Sequence, residues 1–209
     1  MPLSDDADLT LFYAPRTRAF RALWFLEELG RPYRIHRIDY QAGEQKRPDF
    51  LKLNPSGKLP TVLDGDVAIA ETGAILTYLA DKYPPGNLAP RPEEPERAAF
   101  LRWIFYSGSV MEPAFAEKFF GWDLPADRVG WGNFDTMLKV VTEAVSGSSW
   151  LTGDRFTAAD LLIGGNLQFG MMTRILPQEG PIAEFVARCS ERPALKRAMA
   201  IEAEYANAA

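Results

Sequence analysis

Short apolar runs and one longer helical pattern fill the first forty positions of the chain. The run 9–13 is apolar and aromatic, which predicts a buried strand. Apolar residues then recur at helical spacing up to Leu29, and Gly30 follows, so we predict a helix from about 17 to 29. The run 33–38 predicts a second strand, which completes a β-α-β unit.

The next forty positions predict a hairpin and a second helix. The run 61–63 predicts a third strand, and the sequence Asp-Gly-Asp at 64–66 indicates a tight turn. The run 67–70 returns as the partner strand, and apolar spacing predicts a helix over 72–83. This order of elements is typical of a thioredoxin-like domain, although other α/β folds also satisfy it.

The remaining positions carry helical patterns and no convincing strand. Five prolines between 84 and 95 predict a semi-rigid linker. We expect Pro113 to kink or interrupt the first helix beyond the linker. The helical patterns cover 96–119, 127–146, 157–172, 181–191 and 193–206. The chain is therefore divided into an α/β domain (1–84), a linker (85–95) and an all-α domain (96–209).

Composition narrows the classes of function. The chain has 209 residues, a hydrophobic fraction of 47% and a net charge of −5, without a basic stripe that would indicate nucleic-acid binding. No apolar run is long enough for a membrane span and no secretory signal is evident, so we expect a cytoplasmic protein. A single cysteine, Cys189, and a single histidine, His36, exclude an internal disulfide and the usual zinc sites. We expect Cys189 to be a buried packing residue and His36 to be structural or exposed.

The segment Asn-Pro-Ser-Gly-Lys-Leu-Pro, from Asn54 to Pro60, ends at the entrance to the third strand. A proline cannot donate to a strand ladder, so Pro60 belongs at a strand start or edge. If the peptide bond before it is cis, the backbone of Leu59 turns outward. Its N–H and C=O would then be available to an extended ligand, which could pair with it as an added strand.

Glu71 and Thr72 open the helix that follows the hairpin. The start of a helix presents unpaired N–H groups and positive potential, so an α-carboxylate would bind at Thr72. The Glu71 carboxylate could pair with an α-ammonium group, and the couple suits a γ-glutamyl moiety. The alternative is structural, with Thr72 only a helix cap and Pro60 only a strand start.

These two motifs together resemble the glutathione site of the cytosolic glutathione transferases. That family usually has Asn-Pro-x-Gly-x-Val-Pro followed by Glu-Ser-x-Ala-Ile, and Leu59 and Thr72 are mild departures from it. The resemblance covers essentially the whole chain, since Thr157-Ala-Ala-Asp160 matches a helix-capping box of the family. It implies a bacterial-type member with a thioredoxin-like domain, an all-α domain, glutathione as co-substrate, no metal and a homodimeric assembly.

The resemblance places the thiolate chemistry in the turn after the first strand. Thr17 falls where serine-type members carry their catalytic serine, and we predict that it stabilises the thiolate. Tyr13 is the rival, because some classes use a tyrosine near this strand end, and Arg18 could add positive potential. No cysteine occupies the turn, which argues against thiol–disulfide exchange through a protein thiol.

The resemblance also suggests groups for the rest of the ligand and for the acceptor. Lys58, with Gln45 and Lys46 as further candidates, would bind the glycine end of glutathione. Tyr106 and Met111, on an aromatic-rich helix, are candidates for the acceptor pocket. We therefore predict conjugation of glutathione to a hydrophobic small-molecule electrophile. The alternatives are other glutathione chemistry (peroxidase, dehalogenase or isomerase) and a non-catalytic binding protein of the same fold.

Overall fold

A mixed four-stranded sheet organises the N-terminal part of the computed structural model, which describes residues 4, 7–83 and 87–207. The strands are β1 (Leu9–Tyr13), β2 (Tyr33–Arg37), β3 (Thr61–Asp64) and β4 (Val67–Ala70), in the order β2-β1-β3-β4. β1 pairs parallel with β2 and antiparallel with β3, and Leu11 lies opposite both Ile35 and Val62. β3 and β4 form the predicted antiparallel hairpin. Because every residue of β1 is buried, this strand lies at the centre of the core.

Helices account for most of the remaining described residues. Their bounds are α1 (Ala19–Leu29), α2 (Pro48–Leu53), α3 (Thr72–Lys82), α4 (Arg97–Tyr106), α5 (Glu112–Phe120), α6 (Phe134–Gly147), α7 (Ala158–Met172), α8 (Pro181–Ser190) and α9 (Pro193–Asn207). Gly30 ends α1 with a left-handed backbone, as predicted. The thioredoxin-like sheet with its helices, followed by a helical region, confirms the predicted fold class.

The chain divides into two compact units, and the last helix belongs to the first of them. Unit 1 contains the described residues up to Tyr83 together with those from Arg192 onward, and unit 2 is Asn87–Glu191. The sequence predicts α9 as part of the all-α domain, whereas in the structure α9 belongs to unit 1 because it packs against α1. Pro84 and Pro85 of the predicted linker lie outside the described residues.

Buried ion pairs explain why α9 joins unit 1. Arg197 Nε donates to Glu27 Oε2 at 2.6 Å, and the Glu27 side chain is only 1% exposed. Arg192 Nη2 donates to Glu28 Oε2 at 2.7 Å. The hydroxyl of Tyr33 donates to the other oxygen of Glu27 at 2.7 Å. Two carboxylates of α1 are therefore paired with arginines of the C-terminal segment, Arg197 within α9 and Arg192 directly before it.

Two predicted helices of unit 2 differ in detail from the sequence pattern. Pro113 does not interrupt the helical path, because a π-helical segment, Ser107–Met111, links α4 to α5 just before it. A π-helical segment changes the backbone hydrogen-bond pattern just before Pro113, which has no N–H to donate. α6 begins later than the predicted position 127, at Phe134, where the Asn133 side chain accepts the Thr136 N–H at 2.7 Å.

The capping box that the sequence predicts is present at the start of α7. Asp160 accepts the Thr157 N–H and hydroxyl, both at 2.8 Å, and its other oxygen accepts the Leu151 N–H at 2.7 Å. Burial raises the pKa of Asp160, and these hydrogen bonds offset part of that rise. The box therefore has a structural role within unit 2.

Candidate functional site

A cleft of about 430 Å³ in unit 1 brings together residues from four separate parts of the chain. It is lined by Arg16, Thr17, Arg18, Tyr40, Asn54, Lys58, Leu59, Pro60, Glu71 and Thr72. Three of these side chains are cationic and only one is a carboxylate, although the chain as a whole has a net charge of −5. The cleft is therefore a local site for a ligand with more negative than positive groups.

Leu59 presents unpaired backbone groups to this cleft. The Leu59–Pro60 peptide bond is cis. Neither the N–H nor the C=O of Leu59 forms a hydrogen bond with any residue in the described part of the chain, whereas the side chain is buried. A buried side chain fixes the position of the backbone, and the unpaired donor and acceptor are available to an extended ligand.

Asn54 fixes the loop that carries Leu59, a role that is not among those predicted from the sequence. Its side-chain amide donates to the Lys58 carbonyl at 2.9 Å and to the Thr61 hydroxyl at 3.1 Å. Its side-chain oxygen accepts the Ser56 N–H at 3.1 Å. Asparagine before Pro-Ser-Gly is a turn signal that could have indicated this function.

Glu71 has a backbone conformation that residues other than glycine rarely adopt, with φ 66° and ψ 119°. Its side chain is exposed in the cleft and forms no hydrogen bond or ion pair with a described residue. Thr72 follows as the first residue of α3, whose first N–H groups have no intrahelical acceptor. Strained residues of this kind are concentrated at ligand sites, and the strain at Glu71 places its carboxylate beside the unpaired N–H groups that begin α3.

Thr17 lines the cleft, and in this structure its hydroxyl takes part in the turn before α1. The hydroxyl donates to the Ala14 carbonyl at 2.7 Å and accepts the Ala19 N–H at 3.2 Å. Its backbone N–H has no acceptor among the described residues. To donate to a ligand sulfur, the hydroxyl must turn away from Ala14. Arg18, at the start of α1, also lines the cleft.

Tyr13, the rival to Thr17, does not line the cleft. The residue is completely buried, and its ring packs edge-on against Tyr205 of α9, with 5.7 Å between the ring centres. Its hydroxyl has no hydrogen-bond partner among the described residues. The sequence could not reveal this orientation, because it depends on α9, which is distant along the chain.

The remaining predicted ligand groups lie in or beside the cleft. Lys58 lines it directly. Gln45 is buried and donates from its amide to the Tyr40 carbonyl at 3.3 Å, so it supports the wall. Lys46 donates to the Ser56 carbonyl at 3.1 Å. A β-carbon on Gly57 (φ 59°) would lie 2.8 Å from the Gln45 carbonyl oxygen, so glycine permits this close approach.

The two predicted acceptor-pocket residues belong to unit 2. Met111 is completely buried, and the Asn166 amide contacts its sulfur at 3.7 Å, so its side chain is part of the core. Tyr106 is half-buried and packs edge-on against Trp103, with 5.2 Å between the ring centres. Burial raises the pKa of Tyr106, although the nearby Arg102 lowers it.

Cys189 and His36 lie apart from the cleft. Cys189 is buried against Gly164, where a β-carbon would lie 2.8 Å from its sulfur, and His36 is exposed beside Phe12. No helix over 4, 7–83 and 87–207 has the length and apolar character needed to span a bilayer. In those same ranges, no group of three or more histidine, cysteine, aspartate or glutamate side chains could hold a metal ion.

Comparison with known proteins finds a match to the N-terminal region that forms the cleft. A family model described as "Glutathione S-transferase, N-terminal domain" matches residues 7–81. The chain is similar to glutathione S-transferase GstA of Escherichia coli O157:H7, at 28% identity over 93% of this chain and 98% of that protein. It is also similar to the disulfide-bond oxidoreductase YfcG of Escherichia coli K12, at 28% identity over 73% of this chain and 76% of the relative.

A solved structure extends the likeness to the whole fold. It is a glutathione transferase of Phanerochaete chrysosporium with oxidized glutathione, and it aligns with a TM-score of 0.80 and 25% identity over 98% of this chain and 99% of that one. The matched N-terminal region contains every residue that lines the cleft. Taken together with the fold, these likenesses show that residues 7–81 match the N-terminal domain of the glutathione S-transferases and that the chain is similar to glutathione transferases over nearly its whole length.

Proposed function

We propose that the cleft binds glutathione and that the protein transfers its thiol to an electrophile. The observation that carries the proposal is the exposed Glu71 carboxylate, which has a strained backbone and no partner among the described residues. It adjoins Thr72 at the start of α3, so the pair offers an acceptor for the α-ammonium and donors for the α-carboxylate of a γ-glutamyl group. Leu59 would pair with the ligand backbone, and Lys58 would face its glycine carboxylate.

Thr17 is the residue that we propose for stabilising the thiolate. A thiol has a pKa of about 8.5, so only a small fraction is ionised near neutral pH. Donors at Thr17 and the positive potential at the start of α1 favour the ionised form. The thiol proton passes to solvent, the sulfur forms a bond to the electrophilic carbon, and the leaving group departs with the electron pair of the bond that breaks.

The nature of the electrophile stays a prediction. The hydrophobic acceptor expected from the aromatic-rich helix depended on Tyr106 and Met111, and the Met111 side chain is enclosed in the core. A cytoplasmic location, expected from the sequence, and a homodimer, implied by the family resemblance, likewise stay predictions. Peroxide reduction, dehalogenation, isomerisation and ligand binding without turnover use the same glutathione cleft and differ in the second substrate.

A second candidate function is reduction of disulfides, which the similarity to a disulfide-bond oxidoreductase favours. The only cysteine, Cys189, is buried in unit 2 and outside the cleft, so glutathione itself would have to supply both thiols. One glutathione thiolate would attack the disulfide and release a thiolate. A second would attack the mixed disulfide, which yields oxidised glutathione and the second reduced thiol.

Three assays on one preparation distinguish these functions. Calorimetry with glutathione tests the cleft, a chloronitrobenzene acceptor tests conjugation, and a model disulfide, coupled to glutathione reductase and NADPH, tests reduction. We expect binding and conjugation, both weakened in Glu71→Ala. Binding with reduction and no conjugation would select the second candidate. Absence of glutathione binding would contradict both.

A further inference from the structure

A second and larger cleft, of about 840 Å³, adjoins the glutathione cleft within unit 1. It is lined by Ala14, Pro15, Arg16, Arg37, Ile38, Asp39, Tyr40, Gln41, Glu44 and Ala206. Arg16 and Tyr40 line both clefts, so the two share a border. The volume lies within the range of small-molecule sites. A molecule in the second cleft would therefore approach a ligand in the first at the turn that carries Thr17.

The charged groups of the second cleft are not equivalent. Both carboxylates already accept local hydrogen bonds: Asp39 from the Ala42 N–H and Glu44 from the Asp39 N–H, each at 2.8 Å. Glu44 also pairs with Arg47 at 3.1 Å. The guanidinium of Arg16, in contrast, is exposed and has no hydrogen bond or ion pair with a described residue. The Arg16 guanidinium is therefore a positive charge in this cleft that is available to a ligand.

The fold fixes the position of the Arg16 backbone. Its backbone has φ 60°, in the left-handed region, and its N–H donates to Glu202 Oε1 of α9 at 2.8 Å. The hydrogen bond attaches the turn to the C-terminal helix, which also contributes Ala206 to the wall. An arginine in a strained backbone conformation, held by a partly buried carboxylate, indicates a ligand contact. Its planar donors match a carboxylate.

We propose that the second cleft is the acceptor subsite and that it takes an anionic, carboxylate-bearing electrophile bound by Arg16. The inference rests on the proposed glutathione function and narrows the class of its second substrate. With the carboxylate at Arg16, the reactive carbon of such an acceptor is directed toward the sulfur beside Thr17. Such an acceptor carries a charge, whereas the electrophile predicted from the sequence is hydrophobic.

The test uses two acceptors of nearly equal shape, a chloronitrobenzoate and the matching neutral chloronitrobenzamide, with saturating glutathione. Comparing each variant with wild type for each acceptor cancels their different intrinsic reactivities. In Arg16→Gln we expect the ratio of kcat/KM for the benzoate to kcat/KM for the benzamide to fall about fivefold, because a charge-assisted pair with the benzoate carboxylate is lost. Arg16 also lines the glutathione cleft, and an effect on glutathione cancels in this ratio. Arg174→Gln, a second arginine with positive φ that lines neither cleft, is the matched control.

A second pair of variants keeps the test decisive if Arg16→Gln fails to fold. Ala206 lines only the second cleft, so Ala206→Glu and Ala206→Lys change its charge in opposite directions. We expect the KM for the benzoate to rise in the first and to fall in the second, with the KM for glutathione unchanged. Equal effects on both acceptors would overturn the anionic subsite while leaving conjugation intact. Loss of glutathione binding in wild type would instead overturn the proposed function.

Discussion

Replacement of Glu71 separates the cost of its backbone strain from the contribution of its charge. The residue has φ 66° and ψ 119°, and such conformations cost about 1–3 kcal/mol in a residue other than glycine. Glycine adopts a positive φ readily, although it loses up to about 1 kcal/mol through the greater freedom of the unfolded chain. Alanine keeps the strain and removes the carboxylate. We therefore expect Glu71→Gly to be more stable than Glu71→Ala by about 1 kcal/mol.

The same two variants should bind glutathione more weakly than wild type. The Glu71 carboxylate is exposed, so its ion pair with an ammonium group should contribute only about 1 kcal/mol, or roughly a fivefold change in Kd. Because the carboxylate has no partner in the described part of the chain, the free energy of unfolding of Glu71→Ala should lie within about 0.5 kcal/mol of the wild-type value. Stability would then be retained while affinity is lost.

Urea unfolding measures the stability of each variant, and calorimetry measures binding of glutathione and of an N-acetylated glutathione that lacks the ammonium charge. The acetylated ligand should bind wild type and Glu71→Ala equally, which isolates the ion pair. Arg174→Gly and Arg174→Ala form the control pair at another positive φ, without an effect on binding. A loss of more than about 1.5 kcal/mol in the free energy of unfolding of Glu71→Ala would contradict this explanation. Wild-type affinity of Glu71→Ala for both ligands would contradict it as well.

Three further predictions concern the thiolate, the last helix and pH. Thr17→Ala should lower kcat/KM at least about 10-fold and Thr17→Ser should retain it in a conjugation assay, because the hydroxyl is what differs; equal losses would contradict the role. Arg197→Ala should destabilise unit 1 by about 3 kcal/mol in urea, since it leaves the Glu27 carboxylate buried, and adding Glu27→Gln should recover part of the loss; no recovery would refute the pairing. Burial acts to raise the pKa of Asp64, but hydrogen bonds from Lys82, Tyr83 and Tyr78 outweigh burial, so the pKa is lowered. The ionised Asp64 therefore contributes stability above about pH 4, and this contribution is lost as the pH falls further. Asp64→Asn should therefore lower the free energy of unfolding by about 1–2 kcal/mol at pH 7, and this difference should become smaller in acid. A difference that does not depend on pH would exclude this explanation.

Features encoded by neighbouring residues could be predicted from the sequence. The loop from Asn54 to Pro60 and the pair Glu71–Thr72 are short motifs with local geometry, and the structure brings them into one cleft. The hairpin and the end of α1 at Gly30 follow from turn and cap residues in the same way.

Features that depend on distant residues could not be predicted. The assignment of α9 to unit 1 depends on Arg197 meeting Glu27 across 170 positions, and no periodicity encodes such a pair. The burial of Tyr13 depends on Tyr205 in the same helix. The exposure of Arg16 at two clefts depends on its hydrogen bond to Glu202, 186 positions away. The sequence therefore indicates the turn that lines the cleft, but not the orientation of its side chains.

The most direct test of the central claim is the ionisation of glutathione bound in the cleft, followed as the ultraviolet difference spectrum of the thiolate across pH. A thiol free in solution titrates near pH 8.5. With the Thr17 donors and the start of α1 beside the sulfur, we expect the bound thiol to titrate at least about one pH unit lower, and Thr17→Ala to move the midpoint back toward the solution value. A bound thiol that titrates as it does in solution, or no bound thiol at all, would contradict the account.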